Sequence, residues 1–113
     1  MPHVEIKHSD NLELNHAKIF DKVEQIINQH DSAAGVCKSR AYPCAHYKHT
    51  HIMVTIALLT KPHRDKAFTV KLSEEIEAAI KSELQQSAYF SLDIDYSSPY
   101  YVTSFYEVVN KST

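Results

Sequence analysis

The stretch HIMVTIALL, residues 51–59, constrains this chain more than any other. It reads as a β-strand, and a strand sends successive side chains to opposite faces. Ile52, Val54, Ile56 and Leu58 fall on one face; Met53, Ala57 and Leu59 fall on the other. Both faces are apolar, so both want cover. Whatever this chain folds into must place this strand centrally and bury it from two sides.

The rest of the sequence supplies cover for one side. Residues 2–8 alternate as a strand, with Val4 and Ile6 opposed to Glu5 and Lys7. The following SDN offers turn and capping chemistry. From about Leu14 to His30, Ala17, Phe20, Val23, Ile26 and Ile27 recur at helical spacing, and HDSAAG stops that helix. Residues 36–47 look extended, with Val36, Lys38, Arg40 and Tyr42 on one side, and Pro43 marks an edge or a kink. YKHTH then reads as a hairpin turn into the central strand.

After it, KPHRD forms a loop in which Asp65 is placed as an N-cap. A second helix is expected from about Lys66 to Gln86, with Phe68, Leu72, Ile76, Ala79, Ile80 and Leu84 on its apolar face. Residues 89–96 alternate as a strand, with Phe90, Leu92, Ile94 and Tyr96 together. The aromatic tail from Pro99 is expected to form a short strand or helix.

The order is β-α-β-β-α-β in one domain spanning 1–113. The fold class is α+β: tandem β-α-β units giving a four-stranded sheet with both helices on one face. The helices leave the second face of the central strand uncovered, and another copy of the chain is the economical partner for it.

Composition removes several functions. A net charge of −2 gives no basic surface for nucleic acid. No apolar run reaches the ~20 residues of a membrane span, and no signal-like leader is visible, so a cytoplasmic protein is expected. The two cysteines, Cys37 and Cys44, then stay reduced, and their spacing fits no redox or zinc motif. With Gly35 the single glycine, no glycine loop can cradle a phosphate. CAHYKHTH gathers Cys44, His46, His49 and His51, which are zinc-type ligands, but at no standard spacing.

Four features occur together: a PH start, SDN shortly after it, SR closing the second strand, and an arginine just before the second helix. In this the chain resembles the 5-carboxymethyl-2-hydroxymuconate delta-isomerases of the tautomerase superfamily, over nearly its whole length. The resemblance implies a homotrimer whose sheets pack inward, which would cover the open face. It also implies a cofactor-independent isomerase of aromatic catabolism, acting on an unsaturated 2-hydroxy di- or tricarboxylate.

Removal of Met1 would leave Pro2 as a secondary amine, the family's general acid/base. An α-amino group ordinarily titrates near ~8, and an apolar pocket or neighbouring cations lower that value. Arg40 and Arg64 match the family's positions for binding and polarising the substrate. Lys38 stands where the family commonly has the first arginine of RSR; it keeps the charge and loses the two-pronged fork. TKPH replaces the family's usual glycine-rich loop.

Taken one at a time these residues have plainer readings. Proline after the initiator Met is common, lone arginines are usually solvated, and Lys38 and Arg40 could line an interface. A binding protein of the same fold without catalysis, and a histidine-rich metal binder, are the alternatives.

Overall fold

The computed structural model describes residues 1–109. Its elements follow the expected order: β1 (His3–Ser9), α1 (His16–His30), β2 (Lys38–Cys44), β3 (His51–Leu58), α2 (Lys66–Lys81) and β4 (Tyr89–Tyr96), with a 3-10 turn at Ser32–Ala34. The sheet order is β2-β1-β3-β4. β1 runs parallel to β2, and β3 runs parallel to β4. The two β-α-β units join through the antiparallel β1–β3 pair at the centre. The central strand is where its apolar pattern requires.

One face of the sheet carries the core. Val4 and Ile6 of β1 and Ile52, Val54 and Ile56 of β3 are buried against Ile19, Val23 and Ile27 of α1 and Leu72, Ile76 and Ile80 of α2. Each such side chain contributes roughly 1.5–3 kcal/mol on burial. The α1 stripe differs from the expected one at its start: Ile19 is buried and Ala17 exposed. Residues 19, 23 and 27 form a straight four-residue row, which selects one isoleucine over the small alanine.

Helix ends follow side-chain chemistry. The SDN segment makes the turn after β1, but the cap of α1 is Asn15, whose side chain accepts from the Lys18 N–H at 3.2 Å. Asp65 caps α2 as expected, accepting from the Phe68 N–H at 2.9 Å. α2 stops at Lys81 rather than Gln86. The residues beyond are drawn to the other unit: Glu83 pairs with Lys22 at 2.8 Å, and the Gln86 amide bonds the backbone of Glu13 and Asn11.

Two further expectations are corrected. YKHTH is not a hairpin, because β2 and β3 lie on opposite sides of β1 and do not pair. The segment instead carries the chain past the end of β1, with His49 at φ 66°. β2 is thus an edge strand, which is why Pro43 is tolerated in it. The tail is neither strand nor helix through residue 109; Tyr100, Val102, Phe105 and Tyr106 are exposed. Residues 110–113 lie outside the described part.

The second sheet face is open. Register places His3, Glu5 and Lys7 of β1 beside Lys38, Arg40 and Tyr42 of β2. On β3 the same face shows Met53, 43% exposed, with Thr55 and Ala57.

Candidate active site

Pro2 is buried immediately before β1. Its carbonyl accepts the Lys38 N–H at 3.0 Å, so the parallel β1–β2 ladder fixes the N-terminus at the start of the sheet. Here the chain meets a cavity of about 340 Å³. It is lined by Met1 and Pro2, by Ala33 and Ala34 of the 3-10 turn, and by Leu59 just after β3. Lys61 and Arg64 contribute the cations, while Thr103, Ser104 and Phe105 of the tail also line it.

Arg64 is held rigidly. Its side chain is 3% exposed. Nε and Nη2 donate to Asp31 Oδ2 at 3.2 and 2.8 Å, and Nη1 donates to the Leu59 carbonyl at 2.7 Å. His63 Nε2 lies 2.9 Å from the same Asp31 oxygen, and Lys61 Nζ 3.8 Å from it. Asp31 Oδ1 meanwhile caps the 3-10 turn through the Ala33 N–H. Burial alone would push the Asp31 carboxyl up. Hydrogen bonds from Arg64, His63 and Ala33 and the charge of Lys61 outweigh it and hold the group well below the usual carboxylate range.

The α-amino group of Met1 sits in a cationic setting. Burial first, then the charges of Lys38, Arg64 and Lys61, lower its pKa from the ordinary value. The thiol of Cys37 next to Lys38 is pushed up to about 11 by burial and by Glu24, and stays protonated at neutral pH.

The structure therefore brings Pro2 and Arg64 to one cavity, with Lys38 close enough for its charge to act there. Arg40 is elsewhere. It lines a separate shallow cavity on the open face with His3, Glu5, Thr55 and Tyr101. Its Nη2 pairs with Glu5 at 2.9 Å, and its Nη1 donates to His3 Nδ1 at 3.0 Å. That bond needs His3 neutral, and burial with the charges of Arg40 and Lys38 lowers the His3 pKa accordingly.

Sequence reading missed Asp31 and Lys61. Asp31 passed as a helix stop in HDSAAG, and Lys61 as a loop residue. The available signal was the density of Lys61, His63 and Arg64 within four residues, which calls for an anion nearby. Among the described residues, no group of three or more His, Cys, Asp or Glu is placed to hold a metal ion. No helix among them is long and apolar enough to cross a membrane.

The sequence matches no protein-family model and no curated protein. Its structure does match solved ones. A 5-carboxymethyl-2-hydroxymuconate delta-isomerase is 19% identical, covering 93% of this chain and 88% of that one, with a TM-score of 0.70. A 5-carboxymethyl-2-hydroxymuconate isomerase from Deinococcus radiodurans R1 is 16% identical, covering 94% and 90%, with a TM-score of 0.73. A fused 4-OT described as a symmetric trimer is 9% identical, covering 84% and 85%, at 0.66.

The fold is that of the tautomerase superfamily. In the tautomerase fold of this chain, the start of β1, the 3-10 turn after α1 and the loop before α2 converge on one end of the sheet.

Proposed function

We propose that the chain is a cofactor-independent tautomerase that converts an unsaturated 2-hydroxy di- or tricarboxylate, of the 5-carboxymethyl-2-hydroxymuconate type, to its 2-oxo isomer. The observation that carries this reading is the placement of Pro2 in a cavity with Lys61 and Arg64. Two features of the cavity suit the reaction: cations that attract a carboxylate, and a setting that already lowers the pKa of the α-amino group on Met1, one residue before Pro2.

With Met1 removed, the Pro2 nitrogen is a free secondary amine. In its neutral form it takes the proton of the 2-hydroxyl. The oxygen's electrons form the carbonyl, the conjugated double bonds shift, and the ammonium returns the same proton to carbon. Arg64 supplies positive charge as negative charge passes over the oxygen. Lys38 and Arg40 bind substrate from the β2 edge. Arg40 lies outside the Pro2 cavity of its own protomer, so we place its contribution in a homotrimer whose open faces pack together.

The test is an enol-to-keto assay on a panel of 2-hydroxymuconates, using protein shown by intact mass to lack Met1. Turnover by that protein, with a loss of about 10²-fold or more in Pro2→Ala, supports the reading. A Pro2→Ala variant as active as the parent contradicts it. The binding-protein alternative predicts saturable binding with no turnover.

A further inference from the structure

We propose that Lys61 is the group that holds the ligand's carboxylate in the Pro2 cavity, because Asp31 has already engaged the fork of Arg64. This deepens the reading of the cavity as a substrate site and rests on it.

An arginine grips a carboxylate with paired N–H donors. Arg64 has five N–H bonds, and three are used inside the protein, on Asp31 Oδ2 and the Leu59 carbonyl. Its Nε–Nη2 edge, one of the two that can clasp a carboxylate, is closed by Asp31. The side chain is almost fully enclosed and cannot swing out without leaving Asp31 buried. Arg64 is thus fixed in place by an internal anion, and its Nε–Nη2 edge is not free to clasp a ligand carboxylate.

Lys61 is the looser partner of the same Asp31 oxygen. At 3.8 Å its ammonium is beyond hydrogen-bond distance of Asp31 Oδ2. The side chain is 28% exposed and lines the cavity. An ammonium on a flexible stem needs no fixed approach geometry. Asp31 offsets only one of the two charges of Lys61 and Arg64, which leaves a positive excess here for a ligand carboxylate. Thr103 and Ser104, which also line the cavity, carry hydroxyls suited to a polar second end.

The probe is cis,cis-muconate, a dicarboxylate with no hydroxyl to ketonise, titrated calorimetrically at low salt into the Met1-free protein, Lys61→Met and Lys61→Arg. Lys61 is partly exposed, so both variants are expected to keep the wild-type urea midpoint. The expected result is at least fivefold weaker binding by Lys61→Met, with Lys61→Arg closer to wild type. A smaller loss in Lys61→Met, or no saturable binding by wild type, overturns the assignment. Because no turnover is read, failure of the tautomerase reading shows separately, as muconate binding that depends on Lys61 in a protein inactive on every enol.

Discussion

Arg64 and Arg40 are the same residue in two regions that treat charge in opposite ways. Arg64 ends a mostly exposed loop before α2, its own side chain 3% exposed and paired with the buried carboxylate of Asp31. Arg40 lies on the open face of the sheet, 39% exposed, beside a Glu5 that is itself 34% exposed. A buried pair is costly to make and costlier to break. An exposed pair is screened by water and contributes little to stability. Removing one member of the Asp31–Arg64 pair would therefore leave a buried charge uncompensated at the Pro2 end. The Arg40 pair is free to be rearranged when something packs on that face.

The largest effect should come from breaking the buried member. Asp31→Ala strands Arg64 with no carboxylate, and urea denaturation should show a loss of about 3–5 kcal/mol. Glu5→Ala should cost no more than ~1 kcal/mol by the same measurement. Equal losses in the two variants would erase the distinction between the regions.

Acid sharpens it further. The Asp31 carboxyl is held below its unfolded value of about 3.9, so the unfolded chain binds the proton first. Its contribution to stability is complete above about pH 4 and is lost as pH falls towards the native pKa. Asp31→Asn should flatten that acid limb in urea midpoints measured below pH 4.

Arg40→Ala moves the other way. It should lower kcat/KM on a 2-hydroxymuconate by roughly 10-fold, the size of a lost charge-assisted hydrogen bond of about 1.5 kcal/mol. Monomer stability should change by less than ~1 kcal/mol. A drop in stability without a drop in activity would make Arg40 structural.

The smallest effect belongs to the far end of β1. His8, 2% exposed, meets His16 there. The Nδ1–H of His8 donates to the Ser9 carbonyl at 2.8 Å, which leaves its Nε2 to accept from His16 Nε2 at 3.2 Å. Burial and then His8 lower the His16 pKa. Stability should thus decline as pH falls below about 6.5, and His16→Gln should reduce that slope in thermal midpoints between pH 5 and 7.

Much of the fold was legible because it follows from periodicity. The two-sided strand 51–59 demanded a central position, and the alternation of the first and central strands with the helix stripes named most of the core, while Phe90, Leu92, Ile94 and Tyr96 pack against it only partly buried. What escaped depends on long-range partners. Nothing local says that β2 pairs with β1 instead of β3, so YKHTH reads as a hairpin. Gln86 looks helical until Glu13 and Asn11 claim its amide. The aromatic tail has a strand's composition, but composition names no partner for it. The site divides in the same way. Pro2 and Arg64 stand at recognisable places along the chain, and they share one cavity. Asp31 lies 33 residues from Arg64, and only the fold brings the two together.

The central claim of the proposed function is that Pro2, once Met1 is removed, presents an amine that loses its proton below the ordinary α-amino value. Its direct test is a titration of the Pro2 amine by 15N NMR on proline-labelled, Met1-free protein, alongside the pH dependence of enol ketonisation. The account predicts a midpoint below the ordinary α-amino value of about 8, with activity rising through that same midpoint as the amine loses its proton. An amine that titrates at or above that value, or activity that ignores its titration, would contradict it.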